Sequence, residues 1–448
     1  MRTFAEHQRA VRELLEPVKA ALAAPAGFEV LSTLDLQGPD SPLGRVLADD
    51  LHSPGDLPAF ANSQMDGYAV SSADLAAARA GAPVSLGIGT TTAAGDPVRQ
   101  HRPGTASPVM TGASVPDGAD AIVPIELADP PRFLGLDGAG REAPAGASVA
   151  FTQPVEPGAY VRQVGTDVAR GAVLLPGGTR LGPAQLGALA AAGVTAVTVR
   201  RCVSVLMIST GHELRPPGAP LEPGQIHDAN STMLGAALRE CGAIVNEVLA
   251  PDEPGAVKAA LEASAGRVDL VVTTGGVSAG AFEVVREALA PLGVEFVKVA
   301  LQPGGPQGVG LANVRPSGEP GLANGAGSAG GGTGEGGDLG VPVVSFPGNP
   351  VSALVSFELF LRPVLRAFAG LTPDRARATL RLAHDVTSPM ARHQVRRGVI
   401  DGNGDVEVGA PSSHLLHAYA NATVLVHLPV GVDALPAGAH VDVWRIDD

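Results

Sequence analysis

Apolar and polar positions change their period several times along the chain. From Phe4 to Ala23, Val11, Leu14, Leu15, Val18 and Leu22 recur at helical spacing until Pro25 stops the pattern, which predicts an amphipathic helix with one face for docking. Between Phe28 and Pro58 the apolar groups are short and cut by Pro39, Pro42 and Pro54, as in a small discontinuous domain. From about Pro58 to Arg170, β-like runs at 84–88, 121–125, 148–151 and 159–164 alternate with Gly/Pro turns, which predicts an inserted all-β domain. Helical spacing returns at 181–192, with Pro183 near the start and Gly193 at the end.

From Arg201 to about Gly370 the pattern alternates between two kinds of segment. Unbroken apolar runs at 203–209, 270–272 and 341–346 predict strands buried on both faces, and stretches at 230–241, 256–265 and 282–289 carry helical spacing. In the first of these helices the Asn230-Ser231 pair supplies the expected cap and Gly242 the end. This is a βαβ pattern, so a doubly wound parallel sheet is expected. Residues 314–340 include a Gly/Ser/Ala tract with nothing to bury, read as a disordered insert without chemistry, and the tail from Ala378 returns to short β runs. The fold class is therefore multidomain α/β plus all-β: a doubly wound parallel α/β domain at 201–372, an inserted β domain at 53–169, a C-terminal small β-barrel-like domain at 373–448, and a small N-terminal domain from 1–52 and 170–200.

Composition narrows the function. With 448 residues the chain is too long for one ordinary core, and 45% hydrophobic content is ample for several. A net charge of −14 with no Lys/Arg-rich run argues against nucleic acid, so any anionic ligand must be held locally. Lys19, Lys258 and Lys298 are the only lysines. Cys202 and Cys241, placed in a strand and a helix without metal-ligand spacing, read as buried free thiols. No apolar run approaches ~20 residues and the N-terminus lacks a signal peptide's apolar core, so no transmembrane segment and a cytoplasmic location are expected.

Candidate chemistry lies where the three buried strands should end. The first runs into Ser209-Thr210-Gly211-His212-Glu213-Leu214. The second runs into Gly275, Gly276, Ser278 and Gly280, and the third into Pro347-Gly348-Asn349-Pro350-Val351-Ser352. In an open parallel sheet ligands bind outside the carboxyl ends of the strands, and glycines there let backbone approach an anion closely. Asp66, Asp167, Glu213, Asp252 and Glu283 lie near glycine turns, where a carboxylate serves either as a local turn or surface charge or as an oxygen ligand for Mg²⁺. No G-x-x-x-x-G-K-[ST] loop is present, which argues against a nucleotide-binding regulator.

These three loops, with Asn62-Ser63-Gln64-Met65-Asp66-Gly67-Tyr68-Ala69 and Met110-Thr111-Gly112-Ala113, resemble the molybdopterin molybdenumtransferase family (MoeA and the E domain of gephyrin) over nearly the whole chain. The resemblance implies molybdenum cofactor biosynthesis: molybdate is placed on the dithiolene of adenylylated molybdopterin, with Mg²⁺-dependent release of AMP. By the same resemblance, Asp66, Glu213, Asp252 and Glu283 are the catalytic carboxylates, with Asp66 and Glu213 toward the metal. Thr111, Asp167, Lys298, Pro347, Pro350 and Ser413 are implied to hold the pterin substrate, and the loop reading adds Thr210, Gly275, Gly276, Ser278 and Asn349 to them. A homodimer with clefts built from both chains is implied as well. The chain departs from the family's pattern at Pro108, His212, Ala281, Glu283, Gln302 and Gly305; the last two remove lysines from a K-P-G-K-P motif. Lost cations weaken anion binding, so a second expectation stands beside the enzyme: a gephyrin-like scaffold holding a short peptide of a membrane-associated, cytoskeletal or cell-division partner.

Overall fold

The computed structural model describes residues 1–38, 40–134, 146–278, 283–315 and 339–447. At its centre is a six-stranded sheet in the order Ile244–Ala250, Ser204–Thr210, Leu270–Thr274, Leu339–Phe346, Pro306–Val314, Glu295–Lys298. The first four strands are parallel. The last two are antiparallel, which corrects the all-parallel expectation. Neither reversed strand carries an unbroken apolar run, Glu295–Lys298 being only partly buried and Pro306–Val314 burying Gln307 and Gly308, so this edge was not visible in the pattern. Alternation does the rest: Val205 and Met207 face a core with Leu234 and Phe360, whereas Leu206 and Ile208 face one with Val257, Leu261 and Val285.

The N-terminal helix Phe4–Ala23 starts in a capping box, the Thr3 hydroxyl accepting from Glu6 N–H and the Glu6 carboxylate from Thr3 N–H. Its buried face of Val11, Leu15, Val18 and Leu22 packs into the first of those cores. Phe28–Ser32 pairs antiparallel with Ala196–Arg200, and Leu31, Leu47, Leu181, Leu189, Val197 and Val199 form a separate small core from both sides of the inserted segment. The inserted β unit is a six-stranded sheet with Gly67–Val70 between Ala121–Pro124 and Thr105–Val109. Tyr68 is its buried centre, and its hydroxyl donates to the Arg132 carbonyl at 2.8 Å. In the C-terminal part, His393–Ile400, Val424–Leu428, His440–Arg445 and Arg377–Arg381 form a nearly closed, barrel-like sheet. Its outer strand, Leu301–Gln302, belongs to the α/β segment and runs parallel to His393–Ile400, so the two units are stitched together.

Other expectations are corrected locally. The Ala229–Glu240 helix is capped by Asp228, whose carboxylate accepts from Ser231 N–H at 3.0 Å; Asn230 and Ser231 are already inside the helix. The helix expected over 282–289 runs Val284–Leu289. The ends of the expected disordered insert, Val314, Leu339 and Gly340, belong to paired strands; 316–338 lies outside the described residues, as do Gly280, Ala281 and Phe282. Cys202 precedes its strand and is only half-buried, whereas Cys241 is buried at the end of its helix, where burial pushes its thiol up to about 12. Among the described residues no helix is long and apolar enough to cross a membrane.

Candidate active site

The three strand-end loops do converge. Gly275 lies against both of its neighbours, because a Cβ there would stand 3.2 Å from the Thr210 carbonyl oxygen, and one at Gly348 would stand 3.3 Å from the Gly275 Cα. Gly275 and the following Gly276 have φ of 86° and 58°, conformations that glycine adopts without penalty. Beneath them Ser209 Oγ is 3.0 Å from Thr274 Oγ1 and donates to Asp228 Oδ1 at 3.4 Å, and Ser231 Oγ donates to Asp228 Oδ2 at 2.5 Å. Asn230 Nδ2 donates to the Gly348 carbonyl at 2.7 Å, tying the third loop to the helix after the first.

These contacts line a cleft of about 600 Å³. It gathers Thr210, Glu213, Asp252, Gly275, Gly276, Ser278, Glu283, Pro347, Asn349 and Pro350, ten positions spread over 140 residues of sequence. Asp252 Oδ2 lies 3.6 Å from His212 Nδ1, so the His212 departure places an imidazole beside a cleft carboxylate. Ser278 N–H donates to Glu283 Oε2 at 2.8 Å, a bond within reach of glutamate's longer arm. Thr210 Oγ1 and Asn230 Oδ1 are buried at the cleft wall with no partner among the described residues. A buried polar atom without a partner is costly, so both are suited to meet polar atoms of a bound molecule.

A second hollow of about 300 Å³ adjoins the cleft and shares Gly304, Pro306 and Ser352 with it. Lys298, Ser413 and Arg392 line it, and Asn349 Nδ2 donates to Ser413 Oγ at 2.9 Å across the boundary. At the two missing lysines the structure has other work: Gln302 Oε1 accepts from Gln394 Nε2 at 3.2 Å, and the Gly305 carbonyl accepts from Val299 N–H at 2.7 Å. Asp66, Thr111 and Asp167 are not in the cleft of their own chain. Asp66 Oδ1 accepts from Thr111 N–H at 2.7 Å and from Thr111 Oγ1 at 2.8 Å on the inserted β unit, beside the strand that carries Pro108. Asp167 lines a separate shallow hollow with Leu57, Gln64 and Arg162.

Among the described residues no group of three or more His, Cys, Asp or Glu is arranged to hold a metal. The cleft nonetheless offers hard oxygen donors from Glu213 and Asp252, and Mg²⁺ commonly uses one or two carboxylates plus substrate phosphates, so the donor set fits it. Sequence reasoning missed Asp228 and Thr274 and read Asn230 only as a helix cap. The signal for the first was present as Asp-x-x-Ser at 228–231, while the places of the other two in the cleft are recognisable only once the loops meet.

A mixed α/β sheet with a glycine-walled, carboxylate-bearing cleft at its strand ends, carrying an inserted β unit and a barrel-like tail, defines a protein that holds a small polar ligand at the edge of its central sheet. Family models agree in order along the chain: MoeA N-terminal region (domain I and II) over 2–193, probable molybdopterin binding domain over 206–367, and MoeA C-terminal region (domain IV) over 379–446. The chain is 39% identical over 467 residues to molybdopterin molybdenumtransferase 2 of Mycobacterium tuberculosis, covering 100% of both. It is 35% identical over 407 residues to molybdopterin molybdenumtransferase of Synechococcus elongatus, covering 89% of this chain and 91% of the other. A crystal structure of the molybdopterin biosynthesis MoeA protein from Pyrococcus horikoshii superposes with a TM-score of 0.73 at 28% identity, covering 98% and 99%. The chain belongs to the molybdopterin molybdenumtransferase family.

Proposed function

We propose that the protein is a molybdopterin molybdenumtransferase, inserting molybdate into adenylylated molybdopterin with release of AMP in molybdenum cofactor biosynthesis. The observation that carries this reading is the convergence of three loops, each ending a central strand, on one cleft whose wall holds glycines, carboxylates and two unpartnered buried oxygens. The full-length relatives bear transferase names, so the scaffold reading is not adopted. Glycine backbone at 275 and 276 lets phosphate oxygens come close, and the Ser278 hydroxyl and the Asn349 amide add donors, the Gly275 and Ser278 N–H groups being held by the Phe346 carbonyl and Glu283. Lys298 and Arg392 supply positive charge to the adjoining hollow, where an oxyanion is held despite the net negative chain. Glu213 and Asp252 would hold Mg²⁺, which supplies charge neutralisation at the phosphate as AMP departs. His212 Nδ1, 3.6 Å from Asp252 Oδ2, adds a polar nitrogen at the rim of the cleft.

The working unit we propose is a homodimer in which the Asp66–Thr111 pair of one chain completes the cleft of the other. What supports it is that this pair lies outside its own chain's cleft and that a two-fold contact supplies two equivalent reaches. Mixing tests it. Asp66→Asn and Glu213→Ala proteins should each be inactive, whereas exchange should restore activity to about a quarter of the sites, because half the dimers are mixed and each carries one intact site. A mixture that stays inactive after proven subunit exchange rules out the shared site. The transferase itself is tested by rescue of molybdoenzyme activity in a strain lacking its own molybdenumtransferase; failure of the well-folded protein there overturns the enzyme reading.

A further inference from the structure

Away from the cleft, and sharing no lining residue with it, lies a second cavity of about 210 Å³. It opens where the end of the N-terminal helix, the 43–46 segment, the 200–203 connection and the carboxyl ends of the Ala229–Glu240 and Arg362–Phe368 helices meet. Its lining includes five arginines, Arg45, Arg180, Arg200, Arg201 and Arg239, and a single acid, Glu240, in a chain whose net charge is −14.

Structural work accounts for three of the five. Arg45 pairs with Glu29 and also donates to the Arg200 carbonyl. Arg201 forks onto Asp269 at 2.6 and 2.7 Å. Arg239 pairs with Glu247 at 2.8 Å, in the last turn of its helix, where a cation suits the exposed carbonyls. Arg180 and Arg200 have no such employment: neither guanidinium has a carboxylate or carbonyl partner among the described residues. Arg200 Nε is moreover sealed from solvent without an acceptor. Space is kept for Arg180 by Gly44, where φ is +80° and a Cβ would stand 3.0 Å from Arg180 Nη2. The rest of the lining includes apolar side chains, among them Leu22, Leu43, Val46, Leu365, Phe368 and Leu371.

We propose that this cavity is a binding site for a small phosphate ester with an apolar body. Its dianionic head bridges Arg180 and Arg200, and its body lies on the wall of Leu22, Leu43 and Phe368. Two free guanidinium groups match two negative charges, and their planar forks match phosphate oxygens in pairs. The half-apolar lining selects against bare inorganic phosphate, which leaves that wall wetted, and a volume of about 210 Å³ is too small for a nucleic-acid strand. Since the cavity is separate from the cleft, the ligand is neither pterin nor molybdate bound at the reaction site.

Isothermal titration with phenyl phosphate, and with inorganic phosphate and phenol as its halves, tests the assignment on the full chain. One saturable site is expected, tighter for phenyl phosphate than for either half. Affinity should fall at least tenfold, on the order of 1.4 kcal/mol, in Arg180→Gln/Arg200→Gln and be unchanged in Glu213→Ala. Arg180→Glu, at an exposed position, gives the same loss without disturbing Arg200, should the double variant fail to fold. Absence of saturable binding by the wild type, retention of affinity in Arg180→Glu, or loss of it in Glu213→Ala would each overturn the proposal.

Discussion

Replacing Gly276 by alanine should destabilise the α/β unit by about 2 to 5 kcal/mol, with two separable parts. Its φ of +58° is one an L-residue enters at a cost of about 1 to 2 kcal/mol. The added Cβ would also stand 2.8 Å from Val285 N and 3.1 Å from Val285 Cβ. Val285 N is backbone in the first turn of the Val284–Leu289 helix, and Arg286 N–H donates to the Gly276 carbonyl at 3.0 Å, so the helix must shift as a body. Overpacking of that kind typically adds about 1 to 3 kcal/mol. Gly218→Ala is the control, because φ there is +86° but nothing lies within 4 Å of the new Cβ; it should cost only the conformational part, about 1 to 2 kcal/mol. Urea unfolding of both variants, compared at unchanged slope, isolates the close approach as the difference between them. Equal losses in the two proteins would show that the second loop does not press on its helix as described.

Asp228→Ala removes the cap on Ser231 N–H, the acceptor for Ser231 Oγ and that for Ser209 Oγ, so a loss of about 1 to 3 kcal/mol is expected by denaturant unfolding; a loss under about 0.5 kcal/mol contradicts the network. Burial holds His7 down at about 4 and His427 at about 3, against the ordinary 6.5, with Arg2 adding to the first and His393 and Arg377 to the second. The unfolded chain therefore takes up these protons first, so the stability they contribute is complete above about pH 6.5 and is lost as pH falls toward the folded values. Roughly 2 kcal/mol per imidazole should disappear between about pH 7.5 and about pH 5, read by urea unfolding at each pH; a flat profile contradicts their neutral burial.

Much of the site was legible in the sequence because strand ends announce themselves: Leu270–Thr274 is an apolar run that breaks into glycines, and Ser204–Thr210 and Leu339–Phe346 break likewise. The reversed strand was not legible, since Pro306–Val314 buries Gln307 and Gly308 beside Val309, Ala312 and Val314 and so lacks the unbroken apolar run that marked the other strands. The helix cap was misplaced by two residues because Asp228, Asn230 and Ser231 are all competent caps and only geometry chooses among them. Neither was the arginine cavity legible, as its cationic residues are scattered from Arg45 to Arg239 and become neighbours only through the fold.

The central claim is that the carboxylates of the strand-end cleft perform the transfer. It is tested most directly by molybdate-dependent AMP release from adenylylated molybdopterin, measured with purified wild type and Glu213→Ala. The exposed Glu213 lines the cleft, and no described side chain donates a hydrogen bond to it or pairs with it, so its removal should leave the melting temperature almost unchanged. The account predicts AMP release by the wild type and its abolition in Glu213→Ala at that unchanged melting temperature. Full activity in the variant, or a loss of activity that only follows a matching loss of folding, would contradict it.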